Sequence, residues 1–187
     1  MGDAQNGLDH WRTMVTSAFR KRPNAAFYIM AGDLVDRGND IDDWDSMLHN
    51  ARGVYNQRTL IPAIGNHEIQ GGQPTTYLQL FDLPKNGPEK VDPERCYTFK
   101  YSNAEFFILD STLPANQQHE WLEKVLKASK ATWKFAVYHH PAYSSYSKFF
   151  LMIRLAPSST ALYSSAASDC IRYSLKQLFY LLGYQKI

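Results

Sequence analysis

Four short polar clusters in this chain bring together residue types that bind metal ions: Gly2-Asp3, Gly32-Asp33, Gly65-Asn66-His67-Glu68 and His139-His140-Pro141. Carboxylate, amide oxygen and imidazole form a ligand set for Zn, Mn or Fe rather than for a soft thiolate site. A glycine just ahead of a ligand lets the backbone turn sharply and brings the side chain close to an ion. One Gly-Asp step or one His carries little weight, because both are common in structural roles. The weight lies in their joint occurrence, in order, with three of the four following an apolar run.

Those runs read as buried strands: Phe27–Ala31, Leu60–Ile64, Phe106–Leu109 and Phe135–Tyr138. A hairpin strand is expected at Cys96–Tyr101, turning at Ser102-Asn103 into the Phe106 strand. Amphipathic stretches lie between them. Leu8–Lys21 places Leu8, Trp11, Val15 and Phe19 on one stripe. Ile41–Tyr55 follows Asp40 as N-cap, with Asp42 and Asp43 in the favourable first turn. Asn116 is expected to cap a helix running through Lys130, with Trp121, Leu122, Val125 and Leu126 facing the core, and 71–74 and 84–93 read as loops. Short apolar runs alternating with amphipathic helices indicate an α/β chain. In such a sheet ligands bind beyond the carboxyl ends of the strands, which is where three of the four clusters fall. Asp3 stands where the end of a further strand is expected.

Gly32-Asp33-Leu34-Val35-Asp36-Arg37-Gly38 resembles the GDxxDRG block of the calcineurin-like metallophosphoesterases. Gly65-Asn66-His67-Glu68 is similar to their GNHE and His139-His140-Pro141 to their later His-x-Pro block. Asp3 in Gly2-Asp3-Ala4-Gln5 resembles the opening GDxG of the purple acid phosphatase branch. Phe107–Ser111 and Gln118–Glu123 resemble that branch and its bacterial relatives. The resemblance implies a four-layer sandwich, two facing sheets flanked by helices. It also implies hydrolysis of phosphate monoesters or diesters, acid phosphatase-like, by a hydroxide bridging two divalent or trivalent ions (Fe, Zn or Mn). On the same ground Asp33 bridges both ions, Asp3 ligates the first, and Asn66 and His139 ligate the second. The resemblance likewise makes His67 the acid that protonates or stabilises the leaving alkoxide.

Three departures from the family pattern bear on this expectation. The purple branch has Tyr where this chain has Asp36, so a tyrosinate–iron(III) site is not expected. Many relatives read DxH at the start, whereas Gln5 holds the His position here. Its amide oxygen either ligates weakly or sits behind the ligands, the second being favoured because amides are poorer transition-metal ligands. The family also closes its site with a late GHxH, but no His follows His140 and no Gly lies between Gly87 and Gly183. Each ion then falls short of the usual four or so ligands unless water completes its shell.

The chain has 187 residues, 44% of them hydrophobic and 14% aromatic, enough for one globular domain. Residues 1–144 carry 15 basic and 17 acidic side chains, whereas residues 145–187 carry 5 and 1. This change of texture sets the expected organisation. Residues 1–147 form a metallophosphoesterase domain lacking its first strand and its C-terminal part, and 148–187 a divergent or frameshifted tail. In that tail Ile171, Leu175, Leu178, Phe179 and Leu182 could dock as one helix. The competing expectation is a truncated, catalytically impaired domain that binds metal weakly and has no enzymatic role. A net charge of +2 gives no reason to expect a nucleic-acid partner. No apolar run approaches the roughly 18 residues of a membrane span, so no membrane partner is expected either. The opening seven residues lack signal-peptide features, although relatives are often secreted or periplasmic, and the compartment stays open. Cys96 and Cys170 form no C-x-x-C motif. Neither substrate identity nor oligomeric state is readable.

Overall fold

The computed structural model describes residues 1–141. The boundary expected at residue 147 and the amphipathic stretch within 171–182 lie outside the described residues. The elements run α1 (Leu8–Lys21), β1 (Phe27–Ala31), α2 (Ile41–Asn50), β2 (Thr59–Ala63) and α3 (Thr75–Leu80). They continue through β3 (Tyr97–Tyr101), β4 (Ala104–Ile108), a 3-10 turn (Ala115–Gln117), α4 (His119–Ala128) and β5 (Trp133–Val137).

Among the described residues these form two sheets with helices outside them. β1 and β2 pair in parallel, Phe27 opposite Thr59 through Ala31 opposite Ala63. In the second sheet β4 is central, antiparallel to β3 and parallel to β5, with Ile108 opposite Val137. The two-residue periodicity of a strand divides each one between two cores. Tyr28, Met30 and Leu60 pack outward with Trp11, Val15, Trp44 and Met47 of α1 and α2. On the other sheet Phe107 and Ala136 pack outward against Leu122 and Leu126 of α4. Ile61 and Ala63 meet Tyr97, Phe99, Phe106, Ile108 and Val137 between the sheets, and Phe27 sets its ring edge-on to Phe99, Tyr101 and Phe106. The layers are therefore helix, sheet, sheet, helix, the expected sandwich. Each fully buried Phe, Leu, Ile, Val or Met contributes about 1.5–3 kcal/mol, so both sheets are anchored on both faces.

Local structure departs from expectation at three places. The helix expected through Tyr55 ends at Asn50, and the chain continues in turns, with Gly53 at φ 93°. Asp40 does cap that helix, its side chain accepting from the Asp42 N–H. Asn116 caps nothing: it lies within the 3-10 turn, and α4 starts at His119 without a side-chain cap. Thr75–Leu80 forms a helix where no element was expected; it is held by buried Tyr77, whose hydroxyl donates to the Pro62 carbonyl.

Candidate metal centre

In-register parallel pairing makes β1 and β2 end side by side, so Gly32-Asp33 and Gly65-Asn66 leave the sheet together. β4 and β5 likewise end together, releasing Asp110 and His139 at the same edge. Asp3 is held in place by backbone bonds. The Ala31 N–H donates to the Met1 carbonyl, the Asp3 N–H to the Gly32 carbonyl and the Ala4 N–H to the Asp33 carbonyl. These contacts lay residues 1–4 along the carboxyl end of β1.

The result is a convergence of ligand atoms. One donor atom each from Asp3, Asp33 and His139 lies within 4.8 Å of the others. His139 Nε2 is 3.3 Å from Asp33 Oδ2 and 3.1 Å from Asn66 Oδ1. The other ring nitrogen, Nδ1, donates to the Ala31 carbonyl at 2.9 Å, which fixes the ring and points Nε2 at the acidic atoms. Metal-bound histidines are commonly held in this way through the nitrogen that does not ligate. The residues present therefore fit an ion: two carboxylates, an amide and an oriented imidazole face one space.

Charge reinforces the arrangement. Burial works against a charged His139, but the hydrogen bond to Asp33, the Ala31 carbonyl and the charges of Asp33 and Asp3 prevail and push it up to about 9. Burial likewise raises Asp33, yet His139, the His67 N–H and the two imidazoles hold its carboxyl below the ordinary range. Without a metal this space keeps a proton between His139 and Asp33.

Asp3 and Asp33 adopt left-handed backbone, at φ 55° and 52°, a conformation that non-glycine residues seldom take. A Cβ on Gly32 would lie 2.6 Å from His139 Cβ, and one on Gly65 would overlap Asp33. Only glycine lets the two ligand loops approach so closely.

Behind these residues sits Glu68, fully buried. Its Oε2 accepts from the N–H groups of Asp33 (2.8 Å) and Gly65 (2.7 Å), and its Oε1 from those of Leu34 (2.7 Å) and Val35 (3.3 Å). Burial raises its carboxyl pKa, and the nearby Asp33 charge adds to that, against the backbone N–H groups. Sequence reading placed Glu68 inside a motif without assigning it work; its position within GNHE was the available signal.

His67 stands beside the cluster. Its Nδ1 lies 2.7 Å from the Asp36 carbonyl, and its Nε2 lies 3.8 Å from Asp33 Oδ2. Its backbone N–H donates to Asp33 Oδ1 at 3.0 Å. The structure thus brings Asp3, Asp33, Asn66 and His139 together, with His67 at the rim. Asp36 contributes its backbone to His67, and its side chain is largely exposed.

The family's sequence pattern, described as calcineurin-like phosphoesterase, matches residues 1–152. The chain belongs to the calcineurin-like phosphoesterase family. Among solved structures it is similar to a purple acid phosphatase isolated from yellow lupin (Lupinus luteus) seeds, at 19% identity and a TM-score of 0.61. That match covers 76% of this chain and 28% of the lupin chain, so this chain spans under a third of the enzyme's length. No curated protein sequence matches. Membership in this phosphoesterase family accounts for the sandwich and for the conjunction of Gly-Asp and Gly-Asn-His-Glu loops at its strand ends. No helix among the described residues is long and apolar enough to cross a membrane.

One further polar group belongs to the same edge. Asp110, fully buried, receives Arg95 Nε at 2.8 Å and Nη2 at 2.7 Å. Ser111, next in the chain, accepts the His140 N–H at 3.0 Å and lies 2.9 Å from His140 Nδ1. These contacts fix the β4 and β5 ends on which His139 depends, and sequence reading did not find the Arg95–Asp110 pair.

Proposed function

We propose that this chain is a metal-dependent hydrolase of phosphate esters, with Asp33 bridging two ions, Asp3 on the first, and Asn66 and His139 on the second. The observation that carries this reading is the aim of His139: its Nδ1 is committed to the Ala31 carbonyl, and its Nε2 faces Asp33 and Asn66. A bound ion pair supplies the activation of the attacking water and clamps the oxygens of an in-line displacement. The chain's residues do the rest. Asp33, held by Glu68 through its backbone, is positioned for a shared ligand with little freedom to move. The Nδ1 of His67 lies 2.7 Å from the Asp36 carbonyl and 2.8 Å from Gln70 Nε2, which leaves Nε2 turned toward Asp33. A protonated Nε2 there would donate to the leaving alkoxide as general acid.

A second reading, a catalytically impaired domain, is favoured by one observation: Gln5 stands where many relatives carry a histidine, and an amide is a poorer transition-metal ligand than an imidazole. On that reading the domain binds metal weakly and catalyses poorly or not at all. Turnover of a chromogenic phosphate monoester and diester with added Mn or Zn separates the two. The hydrolase reading expects slow turnover that chelator abolishes and that Asp33→Asn removes. Turnover unaffected by either treatment contradicts it, and none at any metal concentration favours the impaired domain.

A further inference from the structure

We infer that the Asn6-Gly7 step is a site of enzyme-free deamidation, and that its product loosens the strap of residues 1–4 that carries Asp3.

The chain has two Asn-Gly steps, Asn6-Gly7 and Asn86-Gly87. Asparagine is a chemically labile side chain, most of all before glycine, where no Cβ obstructs the approach of the next backbone nitrogen. Both asparagines are exposed, so exposure does not separate them. Their bonding does. Asn86 Nδ2 donates to the Thr98 carbonyl at 2.9 Å, and Asn86 Oδ1 accepts the Thr98 N–H at 2.9 Å. The Asn86 carbonyl accepts Trp121 Nε1 at 2.8 Å, and Gly87 packs so closely that a Cβ would overlap the Cys96 carbonyl. Among the described residues nothing bonds the Asn6 side chain, and the Gly7 N–H has no backbone acceptor. There is room as well: within 4 Å a Cβ on Gly7 would meet only His10 Nδ1, at 3.6 Å.

The reaction needs water alone. The Gly7 nitrogen gives up its proton and attacks Cγ of Asn6, the bond from Cγ to the side-chain nitrogen breaks, and ammonia leaves with that proton. Water then opens the five-membered ring at either carbonyl. One opening leaves an aspartate at position 6; the other leaves an isoaspartate, whose main chain runs through the side-chain carbon.

Position 6 links two anchored points. On one side Ala4 is buried and its N–H donates to the Asp33 carbonyl; on the other Trp11 is buried and its N–H donates to the Gly7 carbonyl. An isoaspartate lengthens this link by one carbon, and either product adds a negative charge three residues from Asp3. The α1 side belongs to a helix of 14 residues. The strap is held to β1 and its loop by the backbone bonds of Met1, Asp3 and Ala4, so it is the side that gives way.

Storage of the metal-free full chain at mildly alkaline pH, followed by peptide mapping in the mass spectrometer, tests the site. Position 6 should exchange its amide for a carboxyl, and Asn86 should do so about tenfold or more slowly, because two hydrogen bonds must break first. In urea the two steps should react alike. Equal rates in the folded protein, or a difference that persists in urea, overturn the assignment. Hydrogen exchange on the same samples reads the strap without any need for bound metal, so this inference and the metal reading fail separately. The Asp3 and Ala4 amides should exchange about tenfold faster in converted protein, and Asn6→Gln, stored alike, should keep the slow exchange. Unchanged exchange in fully converted protein overturns the loosening.

Discussion

Glu68 holds Asp33 from behind: the Glu68 Oε2 accepts the Asp33 backbone N–H at 2.8 Å, and the same oxygen accepts the Gly65 N–H at 2.7 Å. One carboxylate thus joins the loop after β1 to the loop after β2. It also offsets the cost of keeping Asp33 in left-handed backbone, because the N–H groups of Asp33, Leu34 and Val35 all turn toward it. Glu68→Gln keeps one acceptor oxygen and turns an NH2 group toward N–H donors that had a partner. Losing buried hydrogen bonds to a charged group costs about 1.5–3 kcal/mol each. We expect urea unfolding to show a loss of about 2–3 kcal/mol together with weaker metal binding. A variant as stable as wild type contradicts the clamp.

The Arg95–Asp110 pair makes a second structural prediction. Both groups are buried, and Arg95 approaches Asp110 Oδ2 through Nε and Nη2 at 2.8 and 2.7 Å. Removing one partner leaves the other charge unpaired, which typically costs about 3–5 kcal/mol. Asp110→Ala should therefore lower the urea midpoint far more than replacement of exposed Asp82, whose ion pair with Lys85 spans 3.8 Å at the surface. Equal effects of the two substitutions would show that the buried pair contributes nothing special.

Stability of the metal-free protein should depend on pH through His139, Asp33 and Glu68. His139 is raised from 6.5 to about 9, so its contribution is fully present below 6.5 and is lost as pH rises toward 9. Asp33 is lowered from 3.8, so its contribution is present above 3.8 and is lost at lower pH. Glu68 is raised from 4.5, so its contribution is fully present below 4.5 and is lost as pH rises above that value. Melting temperature measured in chelator should be highest in weak acid and should fall between pH 7 and 9. Bound metal takes the place of the proton on His139, so metal affinity should rise over that same interval. A melting temperature that climbs from pH 6 to 9 in chelator contradicts the assignment.

Much of the candidate site was legible because its residues follow apolar runs directly. Phe27–Ala31 ends on Gly32-Asp33 and the β2 run ends on Gly65-Asn66, so knowing where the strands stop was enough to place Asp33 and Asn66 at one edge. α3 was not legible, because six residues are too few for a helical repeat to stand out and its anchor is the tertiary contact of Tyr77 with Pro62. The early end of α2 at Asn50 follows from turns that the apolar spacing of the segment did not reveal. Glu68 and Arg95 escaped for a common reason. Each is a charged residue whose work depends on being turned inward toward groups distant in the chain, and residue type alone reads as exposed.

The central claim is that Asp33 is shared by two ions, and electron paramagnetic resonance of the Mn(II)-loaded full chain tests it most directly. Two ions bridged by one carboxylate sit about 3.5–4 Å apart, close enough for their spins to couple. The account predicts two Mn ions per chain with a coupled spectrum, and loss of that coupling in Asp33→Asn. Two Mn ions giving only isolated signals, or a coupled pair that survives Asp33→Asn, would contradict it.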